Sequence, residues 1–130
     1  MPIENFLDAQ PVETICHDGD GLIKIANLFN DDFRTALQFV HYTVLPARTS
    51  IGMHKHGDDE EIYFILEGCG VIDAGGVRSP VKKGDVILNR PFGTHALYNT
   101  SDSEELKMLV VEVANPDVSG IMSVRHIPLY

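Results

Sequence analysis

Apolar residues along this chain come in short runs, each cut off by glycine, proline or a cluster of Asn, Asp and Ser. The runs are rich in Val, Ile, Leu, Phe and Tyr and last about 5–10 residues, as strands of a sandwich or barrel do. They predict strands over Leu22–Leu28, Ala36–Leu45, Ser50–His56, Glu61–Leu66, Gly70–Ala74, Val86–Leu88, His95–Asn99 and Leu106–Ala114, with a further one over Ile121–Ile127. Gly75-Gly76 marks a tight hairpin, because both central residues of such a turn need positive φ. Lys82-Lys83-Gly84-Asp85 marks another turn. Pro46, Pro80 and Pro91 fall between the runs, where a missing N–H costs least. Asn27–Thr35 has room for one helical turn, but its Asn and Asp content favours a loop. Amphipathic helices do not alternate with the strands, and the pattern is all-β.

Composition narrows the class. The 130 residues have the length of one domain, expected over 1–130, and can bury roughly two thirds of their unfolded surface without a disulfide scaffold. Hydrophobic residues at 44% and charged residues at 22% describe a globular chain and not a disordered one. Ten Lys and Arg against nineteen Asp and Glu leave a formal charge of −9, which argues against nucleic acid and anionic membranes as partners. Cys16 and Cys69 lie far apart with no Cys-x-x-Cys pattern, which fits a reducing compartment. The first residues show no basic start, apolar run or cleavage site, so a cytoplasmic location is expected.

Six histidines were counted as neutral in that charge, and two of them focus the chemistry. His54 and His56 are two apart, so on a strand both rings leave the same face, about 6.5–7 Å apart along the chain. Gly57-Asp58-Asp59 can turn the chain, and Glu61 on the next strand would face back across a hairpin toward the imidazoles. Two imidazoles and a carboxylate suit a mononuclear divalent metal: imidazole favours Zn, Fe, Ni and Cu, and the carboxylate widens the choice toward Mn. His95, after a turn marked by Pro91 and Gly93, is a fourth candidate. Three His and one Glu would leave positions open for water or substrate, as a catalytic site requires. The blander reading of Asp58-Asp59-Glu60-Glu61 is a solvated acidic loop, and His17, His41 and His126 read as ordinary surface or core residues.

These residues resemble the two motifs of a small single-domain cupin. The first motif runs Gly, five residues, His-x-His, three or four residues, Glu, six residues, Gly. His54, His56, Glu61 and Gly68 match it, and the count to Gly68 selects Glu61 over Glu60. Arg48 stands at the opening Gly position, with Gly52 nearer the histidine. The second motif runs Gly, five residues, Pro-x-Gly, two residues, His, three residues, Asn. Gly84, His95 and Asn99 match, while Pro91 and Gly93 each come one place late, so a turn of different shape is expected before His95. The resemblance covers about Leu22 to Ala114.

The resemblance implies a double-stranded β-helix, a jelly-roll barrel, with His54, His56, Glu61 and His95 holding one divalent transition metal (Mn, Fe, Ni or Zn) near one mouth. By strand period Tyr63 and Ile65 share a face with Glu61, and Leu97 and Asn99 with His95, so these residues would line the cavity. Tyr63 is the one titratable neighbour among them and a candidate catalytic proton donor, against the alternative that it only shapes the cavity. Arg48 and Arg90 would stand near the rim, free to attract an anion or merely solvated. The function implied is a metal-dependent enzyme on a small molecule, of isomerase, dioxygenase, lyase or decarboxylase type. The alternative is a non-catalytic, metal-dependent module that binds or senses a small ligand. Open barrels have edge strands that need cover, so 119–127 is expected either to pair across the two-fold axis of a homodimer or to extend its own barrel.

Overall fold

A computed structural model describes residues 1–116, and the expected strand over Ile121–Ile127 and His126 lie outside the described residues. Among the described residues ten strands follow one another: β1 Val12–Thr14, β2 Ile23–Asn27, β3 Leu37–Leu45, β4 Ser50–Lys55, β5 Asp59–Glu67, β6 Cys69–Ala74, β7 Val77–Lys82, β8 Val86–Asn89, β9 Thr94–Tyr98 and β10 Leu106–Ala114. They form a six-stranded sheet in the order β1-β2-β3-β10-β5-β8 and a four-stranded sheet in the order β4-β9-β6-β7. Every pairing is antiparallel. This is the all-β fold expected from the pattern of runs, in the jelly-roll form that the resemblance implies. Among the described residues no helix is long and apolar enough to cross a membrane.

The core lies between the two sheets. Ile23, Leu45, Tyr63, Ile65, Leu106 and Met108 come from the six-stranded sheet and meet Ile51, Ile72, Val81 and Leu97 from the other. Strand alternation explains the selection: on β5, Glu61, Tyr63 and Ile65 are buried while Ile62, Phe64 and Leu66 are less so. Ile65 and Leu97, expected in the cavity wall, are packed in this core instead.

Three sequence-based expectations need correction. Pro80 lies inside β7 and not between runs; β7 is an edge strand of its sheet, where Pro is tolerated. Its mostly exposed residues, Val-Arg-Ser-Pro-Val-Lys, lack the apolar signature that marked the other strands. The short β1 was missed for the same reason. Glu61 does not reach the histidines across a hairpin: β4 and β5 belong to different sheets, so the 56–58 link carries the chain from one layer to the other. The Gly75-Gly76 turn is as expected, with φ of 59° and 84° between the paired Ala74 and Val77. At Asn27–Thr35 the loop contains one short 3-10 turn, Phe29–Asp31, with all three residues at positive φ.

Candidate metal centre

His54 and His95 are brought together by strand register, being direct partners in the β4–β9 ladder. His56 follows two residues later and its N–H is held by the Gly93 carbonyl at 2.9 Å, just outside β9. Glu61 projects from β5 in the facing sheet. One ligand atom from each of His54, His56, Glu61 and His95 lies within 4.8 Å of the other three. The tightest part is a triangle: His56 Nε2 to His95 Nε2 is 3.2 Å, His56 Nε2 to Glu61 Oε1 is 3.4 Å, and His95 Nε2 to Glu61 Oε1 is 3.3 Å. Ligands at about 2.1 Å from one ion stand about 3–3.4 Å apart, so the spacing is that of a coordination shell. The buried Glu61 Oε1 has no hydrogen-bond partner among the described residues, a costly condition that a cation would relieve.

The ring tautomers agree with this. His54 Nδ1–H donates to the Gly52 carbonyl at 2.8 Å and His56 Nδ1–H donates to Asp59 Oδ1 at 2.6 Å. Each bond leaves the Nε2 lone pair facing the cluster, the role that partners of metal-binding histidines usually fill. Burial, aided by His95, His17 and His56, lowers the His54 pKa to about 4, so the ring is neutral near pH 7 and free to give its lone pair. Glu61 is also held in its ligating form. Burial opposes its charge, but the His95 and Tyr63 side chains and the potential of His56 outweigh this and keep the carboxyl below its ordinary range.

Tyr63 is buried with its hydroxyl 3.1 Å from His95 Nε2. Burial and the Glu61 charge push its pKa well above the ordinary phenol, so it remains a neutral O–H. Behind His56, Glu112 Oε1 lies 3.6 Å from Nδ1, and burial together with Asp59 and Glu61 raises the Glu112 pKa to about 7. The acidic run is thus not a plain solvated loop: Asp59 orients His56, Glu60 pairs with Arg90 at 3.2 Å, and Asp58 accepts from Asn115.

The cluster opens on a cavity of about 190 Å³, smaller than the roughly 300–1,000 Å³ of drug-sized sites. His54, Glu61 and Tyr63 line it, together with His17 and His41, two histidines that the sequence reading set aside as ordinary. The His17 ring lies flat on His54, with centroids 3.7 Å apart and planes 10° apart. A specific device brings it there. The β4–β9 register shifts between Ile51 and His54, and in that gap the Gly52 N–H donates to the Cys16 carbonyl at 3.0 Å. A Cβ on Gly52 would stand 1.9 Å from the His17 carbonyl oxygen, so only glycine lets this loop pack on β4. His41 stands on β3 and stacks on Phe39, centroids 3.9 Å apart. Nothing in local spacing marks His17, because its loop reaches the site only through tertiary packing.

Other expectations resolve differently. Asn99 does not line this cavity: its amide donates to the carbonyls of Leu45, Pro46 and Glu104, tying three segments together. Arg48 pairs with Asp102 at 2.8 Å on the surface, and Arg90 is engaged by Glu60. Arg48 at the first Gly position has φ of 60°, and Phe92, which falls at the Gly position of the second motif, has φ of 61°. Both non-glycine residues adopt the left-handed backbone that glycine favours.

Comparison with known proteins agrees with this geometry. A family model described as Cupin domain matches residues 40–112. An oxalate-binding protein of Thermotoga maritima is 33% identical over 94 residues, covering 72% of this chain and 77% of that protein. A crystal structure named as a predicted oxalate decarboxylase, also from Thermotoga maritima, superposes with a TM-score of 0.82 at 28% identity, covering 88% of this chain and all (100%) of that one. A Cupin 2 conserved barrel domain protein from Salinispora arenicola gives a TM-score of 0.70 at 20% identity over 96% of both chains, a likeness of fold. With the family model spanning more than half of its length and the His and Glu motif residues gathered in the barrel, this chain belongs to the cupin family.

Proposed function

We propose that His54, His56, Glu61 and His95 hold one divalent transition metal and that the cavity beside it binds a small carboxylate of the oxalate class. The observation that carries the metal reading is the triangle of His56 Nε2, His95 Nε2 and Glu61 Oε1, with the carboxylate oxygen buried and otherwise unsatisfied. Three protein imidazoles and one carboxylate leave a six-coordinate ion two free positions, and such an ion would supply Lewis-acid binding of two ligand oxygens. The cavity of about 190 Å³ and the names of the relatives support a compact ligand.

Tyr63 favours a second reading, in which the bound ligand is converted. Decarboxylation of oxalate releases carbon dioxide and needs one proton delivered to the remaining carbon to give formate. Tyr63 is a neutral O–H at the cluster and the chain's candidate for that donor. Elemental analysis of the purified protein, calorimetric titration with oxalate, and assay of formate release separate the readings. Binding without formate supports the binding module; formate release that Tyr63→Phe abolishes supports the enzyme. Absence of a transition metal at near one per chain would refute both.

The homodimer expected from sequence belongs to the same proposal. Phe64, Val86, Leu88 and Val113 are exposed on the neighbouring strands β5, β8 and β10, an apolar surface of the kind that a second copy covers. Sedimentation at micromolar concentration tests it, and a monomer would remove it.

A further inference from the structure

Two imidazoles face the cavity without serving the metal cluster. His17 comes from the loop pinned to β4 by Gly52, and His41 from β3 in the opposite sheet, so they approach the cavity from both layers of the barrel. Among the described residues, the imidazole hydrogen bonds belong to His54, His56 and His95, and the ring nitrogens of His17 and His41 make none. Each ring is instead held by a flat stack, His17 on His54 and His41 on Phe39. A stack fixes the plane of a ring and leaves its edge, with the N–H, free to meet a ligand. An imidazole carries at least one N–H donor whether neutral or protonated.

The rest of the wall makes these donors matter. Ile25, Phe39, Ile51 and Val110 line the same cavity and offer no hydrogen bond, while Thr43, Cys16 and Tyr63, its hydroxyl turned to His95 Nε2, complete the wall. A carboxylate ligand held by two oxygens at the metal has its other oxygens against this partly apolar wall, where an unpaired polar atom is costly. We propose that His17 and His41 form an anion clasp that donates ring N–H groups to the ligand oxygens turned away from the metal. The clasp selects a short dicarboxylate over a monocarboxylate, which has no second pair of oxygens to offer. This inference rests on the metal and carboxylate reading above and assigns the recognition step within it.

The test uses the zinc-loaded protein, titrated by calorimetry with oxalate and with formate. His17→Phe and His41→Phe keep a flat ring for stacking and remove the donor. Each is expected to weaken oxalate by about tenfold, the loss of one charge-assisted hydrogen bond, while formate and zinc affinities change by less than about threefold. His17→Gln restores an N–H and is expected to recover part of the oxalate affinity, which a purely structural role for the ring would not produce. Equal weakening of oxalate and formate, or wild-type oxalate affinity in both Phe variants, would overturn the clasp while leaving the metal reading intact. Wild-type protein that binds zinc but not oxalate would overturn the clasp and the ligand class together, and failure to bind zinc would overturn the metal reading as well.

Discussion

The Nε2 atoms of His56 and His95 stand 3.2 Å apart, although the residues are thirty-nine positions apart in sequence. The adjacent strand pair β4–β9 makes this approach, and Glu61 closes the triangle from the other sheet. Three electron-rich atoms at this spacing repel one another unless a proton or a cation lies between them.

Removing a ligand should therefore empty the centre. Loss of partners that merely orient ligands costs about 10–100-fold in metal affinity, and Asp59→Asn is expected in that range. His56→Ala and His95→Ala should exceed it, as read by competition with a chromophoric chelator. Saturation at a hundred times the dissociation constant stabilises by about 2.7 kcal/mol, so chelation of the wild type should lower Tm by roughly 10 °C.

Glu112 gives a pH signature in the metal-free protein. Its folded pKa of about 7 lies above the ordinary value of 4.5, so its contribution is present below pH 4.5 and is lost as pH rises to 7. His54 works in the opposite sense. Its folded pKa of about 4 lies below 6.5, so its contribution is present above pH 6.5 and is lost as pH falls toward 4. Glu112→Gln should match the wild type below pH 4.5 and exceed it at pH 7.5 by an amount on the order of 1 kcal/mol, allowing for its partial exposure. Urea titrations in the presence of chelator at the two pH values check this; a constant difference between the proteins would refute it.

Gly52 is the residue that admits His17 to the cavity. Gly52→Ala drives a methyl group into the His17 carbonyl, a contact of 1.9 Å against backbone. The variant is expected to lose about 2–4 kcal/mol, in the range of overpacking and broken backbone bonds, measured by chemical denaturation. The His17–His54 stack should be disturbed with it, visible as altered ring resonances of both histidines.

Phe92 carries the opposite opportunity. It is 60% exposed and holds φ of 61°, while its N–H still donates to the Gly57 carbonyl at 2.9 Å. Phe92→Gly relieves about 1–2 kcal/mol of left-handed strain against roughly 0.5–1 kcal/mol of added chain entropy, for a net gain of about 0.5 kcal/mol. Phe92→Ala keeps the strain and should show no gain in the same thermal melt.

Much of this was legible in the chain itself. The apolar runs ending at Leu45, Leu66 and Ala114 read as strands because alternation at period 2 is a local property, and the Gly75-Gly76 hairpin is local as well. The shared face of His54 and His56 followed from counting along a strand, and the resemblance to the cupin motifs added Glu61 and His95, completing the four residues that meet in the barrel. β7 was not legible, since an exposed edge strand bearing Pro80 carries no apolar signature.

What counting along the chain could not supply was the partner across the sheet. Glu61 meets the imidazoles through the packing of one sheet on another and not through a hairpin. Asn99 becomes a fastener of three carbonyls only once the distant Leu45–Pro46 segment is beside it. His17 enters the cavity because Gly52 leaves room for its carbonyl, a fact about two backbones that neither residue reveals alone. Residue type and strand period determined which side chains carry the chemistry; the packing of the two sheets decided which of them share one cavity, because contacts between distant segments depend on register and close approach that no local pattern encodes.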